Sequence, residues 1–285
     1  MSVAEYSGAC LFIVATPIGN LGDMSPRAVD VLSHCDLIAA EDTRHSGALL
    51  KHFAVQTPTV SFHDFSTAPQ LQKLLDRLQA GQQIAVISDA GTPTIADPGF
   101  ALVRGARQLG IDVVPIPGAS AMLAALSVSG LPTDRFRFVG FPPPRAGARE
   151  EFLQELKNQS CTQILYESPH RIQETLEQME AVLGGDRLLF VARELTKKFE
   201  TTFLAPIADC RQRIAADPQQ QKGEFVLILA AHEQSDENSR CLQEGLRVLR
   251  LLLIELPLKQ AVSLAAQISG APRNQLYSLA LQEKS

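Results

Sequence analysis

The sequence predicts an α/β fold made of two successive α/β domains and a small C-terminal helical domain. Short apolar runs alternate with amphipathic stretches through the first half, one run is apolar at every position, and beyond residue 240 only helical periodicity remains. Strand–helix alternation implies a largely parallel sheet covered by helices. The unbroken run Ile84-Ala85-Val86-Ile87 suits a strand buried on both faces.

Taken in order, strands are expected at 11–15, 37–40, 59–62, 84–88 and 113–116, with helices at 26–33, 46–53, 68–80 and 100–109. Ser25 and Pro26 form a helix start, serine as N-cap and proline at the first helical position. A second domain begins near Pro117-Gly118 with a small-residue helix at 119–129. Strands follow at 136–140, 163–166, 188–192, 199–205 and 224–230, with helices at 148–158, 169–183 and 207–215. Too few residues separate 192 from 199 for a crossover helix, so this second sheet is mixed. The proline run 141–147 reads as an exposed loop. A polar linker at 232–240 precedes helices at 241–255, 258–269 and 272–281, with Gly270 ending one and Pro272 starting the next. Ala266, Gly270 and Leu276 have the spacing of a helix-turn-helix, and equally of a structural helical hairpin. The expected domains are 1–116, 117–232 and 233–285.

At 285 residues, 45% hydrophobic and 20% charged, the chain can bury a sizeable core, which excludes wholesale disorder. The net charge of −5 confines any nucleic-acid surface to a local basic patch. Cys10, Cys35, Cys161, Cys210 and Cys241 include no C-x-x-C pair, so neither zinc nor dithiol chemistry is indicated and free thiols in a reducing compartment are expected. No run reaches the ~18 apolar residues of a membrane span, and the first residues lack the pattern of a cleavable leader. A soluble, cytoplasmic protein is expected.

Four loops punctuated by polar residues, Gly and Pro follow strands of the first half: Thr16–Asn20, Glu41–His45, Ser88–Pro93 and Pro115–Ser120. In open α/β sheets, ligands bind beyond the carboxyl ends of the strands. Any one such loop could be only a turn, and Glu41-Asp42-Thr43-Arg44 could be an ordinary helix start with acids near the positive end of the dipole. Their recurrence at one edge points to a site. The dinucleotide fingerprint, the P-loop, the nucleophile elbow and the H-E-x-x-H zinc motif are all absent. Glu41, Asp42, His45, His63 and Asp64 show no recognised ligand spacing, so no metal is expected.

At these loops the segments TPIGNLGDMS (16–25), EDTRHS (41–46), SDAGTPTIADPG (88–99) and PGAS (117–120) resemble the tetrapyrrole methylase superfamily. LPTDRF (131–136), YESPHR (166–171), ARELTK (192–197) and KGEFV (222–226) continue the likeness in order. Within that superfamily the combination is similar to the ribosomal RNA small subunit methyltransferase I family. The resemblance implies two α/β domains of tetrapyrrole methylase type with S-adenosylmethionine in the cleft between them, and a homodimer. It also implies 2′-O-methylation of a cytidine in the decoding region of 16S rRNA, with the small ribosomal subunit as partner.

Carried onto this sequence, the resemblance implies a cofactor site of Pro17, Gly19, Ser88, Asp89, Ala90, Gly91, Thr92, Pro93, Ile95, Ala96, Ser120 and Ala121. Tyr166, Glu167, Leu195, Glu224, Phe225 and Val226 would close it from the second domain. Gly91 would admit close backbone approach, and Asp89 would offer a carboxylate to the cofactor. A ribose hydroxyl is a poor acid, so a base is needed; Glu41, Asp42, Glu194 and Lys197 are the candidates, without a choice among them. Arg44, His45, Arg171, Arg193 and Lys198 are expected to face RNA, although for Lys198 taken alone a solvated face is the favoured reading. Arg137, Arg145 and Arg149 are open between RNA contact and solvated surface. Three rival readings are a tetrapyrrole C-methyltransferase, a non-catalytic regulator binding nucleic acid through 258–281, and a metal-dependent hydrolase built on Glu41, Asp42, His45 and His63.

Overall fold

The computed structural model describes residues 8–63, 66–232 and 237–282, so Asp64 lies outside the described residues. The first sheet contains β1 (Cys10–Val14), β2 (Leu37–Ala40), β3 (Thr59–Ser61), β4 (Gln83–Ile87) and β5 (Asp112–Ile116). Every pairing is parallel, in the order β3-β2-β4-β1-β5. Alternate residues of its central strands enter two cores, as the period of two dictates. Phe12, Val14, Ile38, Ala40, Ala85 and Ile87 pack with helices α1 (Pro26–His34) and α2 (Thr43–His52). Leu11, Leu37, Ala39, Ile84 and Val86 pack with α3 (Ala68–Gln79) and α4 (Phe100–Gln108).

The second sheet has the order β6-β7-β10-β8-β9, with β6 (Phe136–Gly140), β7 (Thr162–Glu167), β8 (Leu188–Arg193), β9 (Thr201–Pro206) and β10 (Phe225–Leu229). It is mixed: β6 and β7 run parallel, and the other neighbours antiparallel. One face is covered by α6 (Ala146–Lys157), α7 (Ile172–Leu183) and α8 (Ile207–Ala216). On the other face Ile164, Phe190, Ala192, Val226 and Ile228 pack against the short helix α5 (Ala121–Val128).

Several helix starts differ from expectation. Helix α6 begins at Ala146, inside the expected loop 141–147, and the helix expected at 272–281 begins one residue late, at Arg273, while three others move for a visible local reason. Helix α2 begins at Thr43, not 46, because Asp42 caps it, its carboxylate accepting from Arg44 N at 2.8 Å. Helix α5 begins two residues late because Gly118 lies against the end of β1, where an added Cβ would meet Ala15 Cβ at 2.9 Å, and Ala119 O accepts from Thr92 Oγ1. Helix α7 begins at Ile172 because Ser168-Pro169-His170-Arg171 turns first, with Arg171 N donating to Ser168 O.

The two sheets form one compact unit and the C-terminal helices another. The latter comprises α9 (Glu237–Leu252), α10 (Leu258–Ser269) and α11 (Arg273–Gln282). Residues 237–240, expected as linker, are helical, a polar turn that no apolar period announces. Gly270, at φ 72°, ends α10 in the left-handed region and donates to Ala266 O. Gly245 lets α9 approach the α10–α11 turn, since an added Cβ would lie 2.8 Å from Ser269 Oγ. No helix among the described residues is long and apolar enough to cross a membrane.

Candidate active site

A cleft of about 370 Å³ opens at the carboxyl ends of β1 and β4 and is walled by both sheets, within the ~300–1,000 Å³ typical of small-molecule sites. From the first half it is lined by Ile18, Ala90, Gly91, Thr92, Ile95, Ala96 and Asp97. Ser120, Ala121 and Phe141 add one side, and Tyr166, Glu167, Leu195, Glu224, Phe225 and Val226 another, with Ser168 and Pro169 beside them. Thirteen of the expected cofactor residues therefore meet in one cavity. Pro17, Gly19, Ser88, Asp89 and Pro93 are not among its lining residues. Sequence reasoning missed Ile18, Asp97, Ser168 and Pro169, which fall inside quoted motifs, and Phe141, which opens the proline loop.

The loops are bound to one another before any ligand is considered. Thr16 N donates to Gly91 O at 2.9 Å and Gly91 N to Thr16 O at 3.0 Å, so the first and third loops run side by side. Thr16 Oγ1 also reaches Ser88 O at 3.2 Å. The second and third loops exchange carboxylate bonds: Glu41 Oε2 accepts from Asp89 N, and Asp89 Oδ1 from Asp42 N, both at 3.2 Å. Asp89, expected to reach the cofactor, instead holds the neighbouring loop.

Backbone strain frames the cleft. Ile95 stands between Thr94 (φ 73°) and Ala96 (φ 60°), and Leu195 between Glu194 (φ 52°) and Thr196 (φ 65°). Left-handed conformations are costly for such residues and persist where surroundings over-determine them, often at functional sites. For the second pair the surroundings are explicit. Lys197 Nζ lies 2.8 Å from both Glu194 Oε1 and Glu224 Oε2, and Glu224 N donates to Glu194 Oε1 at 2.9 Å. Two glycines make room: a Cβ at Gly19 would meet Lys197 Cγ, and one at Gly223 would meet Glu194 Cγ, each at 2.4 Å.

These contacts set the protonation of the candidate bases. Burial works against the Lys197 charge, but the bonds from Glu194 and Glu224 outweigh it and the net shift is upward. Burial likewise works against ionised Glu194, yet the Lys197 and Glu224 N–H bonds bring its pKa down. Asp42 is also lowered, first by the Arg44 N–H that it caps. Tyr166 is raised by burial and by the Asp97 charge, while its hydroxyl accepts from Met122 N at the start of α5.

The expected RNA-facing residues separate. Arg44 is 92% exposed, with His45 and Lys198 also exposed. Arg193 is corrected: it is buried, and its guanidinium donates to Lys222 O, Phe199 O and Gln219 O, which leaves it a loop-holding part. Arg171 is largely committed too, to Glu167 Oε1 at 2.9 Å and Pro142 O at 3.1 Å. Glu167 is fully buried and also accepts from Thr175 Oγ1 and Ser168 N, so it fixes the turn below the cleft. Arg149 is buried against Gln178 and Glu174, which excludes an RNA contact. Among the described residues, no three His, Cys, Asp or Glu are grouped to hold a metal ion.

The residues present suit a cofactor with an apolar-faced adenosyl group and a charged amino-acid end. Apolar walls from Ile18, Leu195, Phe141 and Val226 face the cavity beside the polar Thr92, Ser120 and Asp97. At Gly91 (φ 81°) the backbone itself forms the wall, 3.4 Å from Ile18 Cγ2 for an added Cβ.

The sequence model of the tetrapyrrole (corrin/porphyrin) methylases matches residues 10–210, and that of the RsmI C-terminal HTH domain matches 242–284. The chain is 50% identical to a Pseudomonas aeruginosa protein named ribosomal RNA small subunit methyltransferase I, over 98% of this chain and 99% of that one. It is 47% identical to the Escherichia coli O157:H7 protein of the same name, over 99% and 98%. Solved structures of the methyltransferase CobJ (TM-score 0.58, 18% identity, 79% of this chain and 95% of that one) and of a diphthine synthase (0.58, 15%, 78% and 90%) share the fold. The chain belongs to the tetrapyrrole (corrin/porphyrin) methylase family, in its ribosomal RNA small subunit methyltransferase I branch.

Proposed function

We propose that the chain is an S-adenosylmethionine-dependent methyltransferase of 16S rRNA in the small ribosomal subunit, and that its acceptor is the ribose 2′-oxygen of a cytidine in the decoding region. The observation that carries this reading is the cleft walled by Ala90-Gly91-Thr92, Ser120-Ala121 and Glu224-Phe225-Val226, in a chain about half identical to full-length relatives named for rRNA methylation. The cofactor residues are proposed as Ala90, Gly91, Thr92, Ile95, Ala96, Ser120, Ala121, Tyr166, Leu195, Phe225 and Val226, with Asp97 and Phe141 added.

S-adenosylmethionine supplies an electrophilic methyl group on a sulfonium, whose departure leaves a neutral thioether. The protein's main contribution is then alignment, an effect that can reach ~7–11 kcal/mol when reacting atoms are well oriented. The Thr16–Gly91 bridge and the Glu41–Asp89 exchange hold the cleft loops in fixed register. Lys197 is held protonated and cannot accept the ribose proton in this arrangement; Glu194 and Asp42 are held ionised and can.

A homodimer is proposed on the second sheet's thinly covered face. Around α5 that face leaves Leu123, Val128, Phe136, Leu188 and Leu204 exposed, an apolar area of the kind that marks protein contacts. The acidic net charge favours recognition by a few placed groups, with Arg44 foremost.

The test supplies tritiated S-adenosylmethionine with small ribosomal subunits lacking this methylation and, separately, with uroporphyrinogen III. Label in rRNA alone supports the proposal. Label in the tetrapyrrole alone would replace it with the C-methyltransferase reading, which the shared fold with CobJ keeps in play.

A further inference from the structure

We infer that the turn joining β8 to β9, residues 194–200, is a rigid platform for an unstacked base of the substrate RNA, with the Phe199 ring as its face and Lys198 beside it. The inference rests on the rRNA reading proposed above and concerns how that substrate is gripped.

Phe199 is 64% exposed, and Lys198 Nζ lies 5.5 Å from its ring centroid. A single exposed apolar residue needs no explanation; the construction beneath this one does. The buried Arg193 guanidinium pins Phe199 O at 3.1 Å, together with Lys222 O and Gln219 O on the neighbouring loop. Thr201 Oγ1 donates to the same Phe199 oxygen at 3.3 Å. Within the turn, Lys197 N donates to Glu194 O and Glu200 N to Lys197 O, while Glu200 Oε2 accepts from Thr196 N at 2.5 Å. Lys197 fastens the turn to Glu224 on the cleft wall. Two residues are held in left-handed conformations to complete it. The exposed ring is thus presented on a fixed mount.

The mount stands at the reaction site, because Leu195 of the same turn lines the cleft. Sites that grip a single-stranded nucleotide replace the stacking its base has lost. An aromatic face supplies that for any base, and an adjacent cation adds phosphate contact; single-strand binding sites combine the two. On a body of net charge −5, general phosphate attraction is limited, so stacking carries more of the grip.

The test uses the full chain with small ribosomal subunits and compares Phe199→Ala, Phe199→Leu and Phe199→Trp. Base–aromatic stacking converts, at a factor of ten per 1.4 kcal/mol, to a KM for subunits raised about 5- to 150-fold in Phe199→Ala. S-adenosylmethionine affinity and kcat should stay within about twofold of wild type, and the sedimentation coefficient should not change, since only base stacking is removed. Phe199→Trp should keep the wild-type KM, and Phe199→Leu, apolar but without a π-face, should lose it. A wild-type KM in Phe199→Ala or Phe199→Leu would overturn the platform. So would a changed sedimentation coefficient with parallel loss of activity, which would make Phe199 a contact between copies. Failure of wild type itself to methylate subunits would remove the rRNA reading and the platform with it.

Discussion

Replacing Lys197 by methionine removes an ammonium group while leaving a stem to cover Gly19. Its Nζ sits 2.8 Å from Glu194 Oε1, with the two side chains 28% and 19% exposed. A charge-assisted bond in that setting contributes about 1.5–3 kcal/mol. The second arm, to Glu224 at 75% exposure, is screened by solvent and adds about 0–1 kcal/mol. At roughly 2–4 °C per kcal/mol for a chain of this size, Lys197→Met should lower Tm by about 3–16 °C. The pH dependence follows from the directions of the shifts. Glu194 is lowered from 4.5, so its contribution is present above that value and fades as pH falls through the folded pKa. Lys197 is raised from 10.5, so its contribution is present below that value and fades as pH climbs through the folded pKa. The Tm difference between wild type and Lys197→Met should therefore be flat between these limits and shrink outside them. Thermal unfolding across pH reads this directly. Lys197→Arg restores the charge and should recover much of the stability and most of the methyl transfer. If Lys197 were the base, that variant would keep its Tm and still lose transfer by ~10²–10⁴-fold. Such a result would refute the positioning role.

Gly223→Ala forces a Cβ to within 2.4 Å of Glu194 Cγ at φ 96°, so it should cost more than the ~1–2 kcal/mol of left-handed backbone strain alone. Gly91→Ala, at φ 81° with 3.4 Å to its nearest neighbour, should cost little beyond that strain; equal Tm losses in the two variants would contradict the packing account. Arg44→Ala should leave S-adenosylmethionine affinity unchanged and flatten the salt dependence of RNA binding by about 0.7–0.9 in log–log slope, read by filter binding across a salt series. Tyr166→Phe removes the acceptor for Met122 N at the head of α5 and should cost roughly 1–3 kcal/mol, read by unfolding and by weakened cofactor binding in calorimetry.

Much of this molecule was legible in its sequence. Helix α10 (Leu258–Ser269) and strands β2 and β6 match their expected bounds, because periodicity, Gly270 and the flanking polar residues mark them. The helix starts moved where a loop residue had another partner. Gly118-Ala119 is drawn against Ala15 and Thr92, and the turn before α7 is fixed by buried Glu167, contacts that only folding brings together. The loops around the cleft were readable from their Gly and Pro punctuation, but which residue faces inward was not. Asp89 and Ile95 sit in one motif, yet Asp89 turns toward Asp42 N and Ile95 toward the cavity. Arg193 carries the charge of an RNA contact, and its burial beneath Phe199 depends on carbonyls at 199, 219 and 222 that no local pattern encodes.

The central claim is the acceptor atom. Small ribosomal subunits lacking the modification would be incubated with methyl-labelled S-adenosylmethionine and the protein, and the rRNA digested to nucleosides for mass spectrometry. The account predicts label in 2′-O-methylcytidine, resistant to loss with the base. Label on the cytosine ring, on another nucleoside, or on no rRNA at all would contradict it.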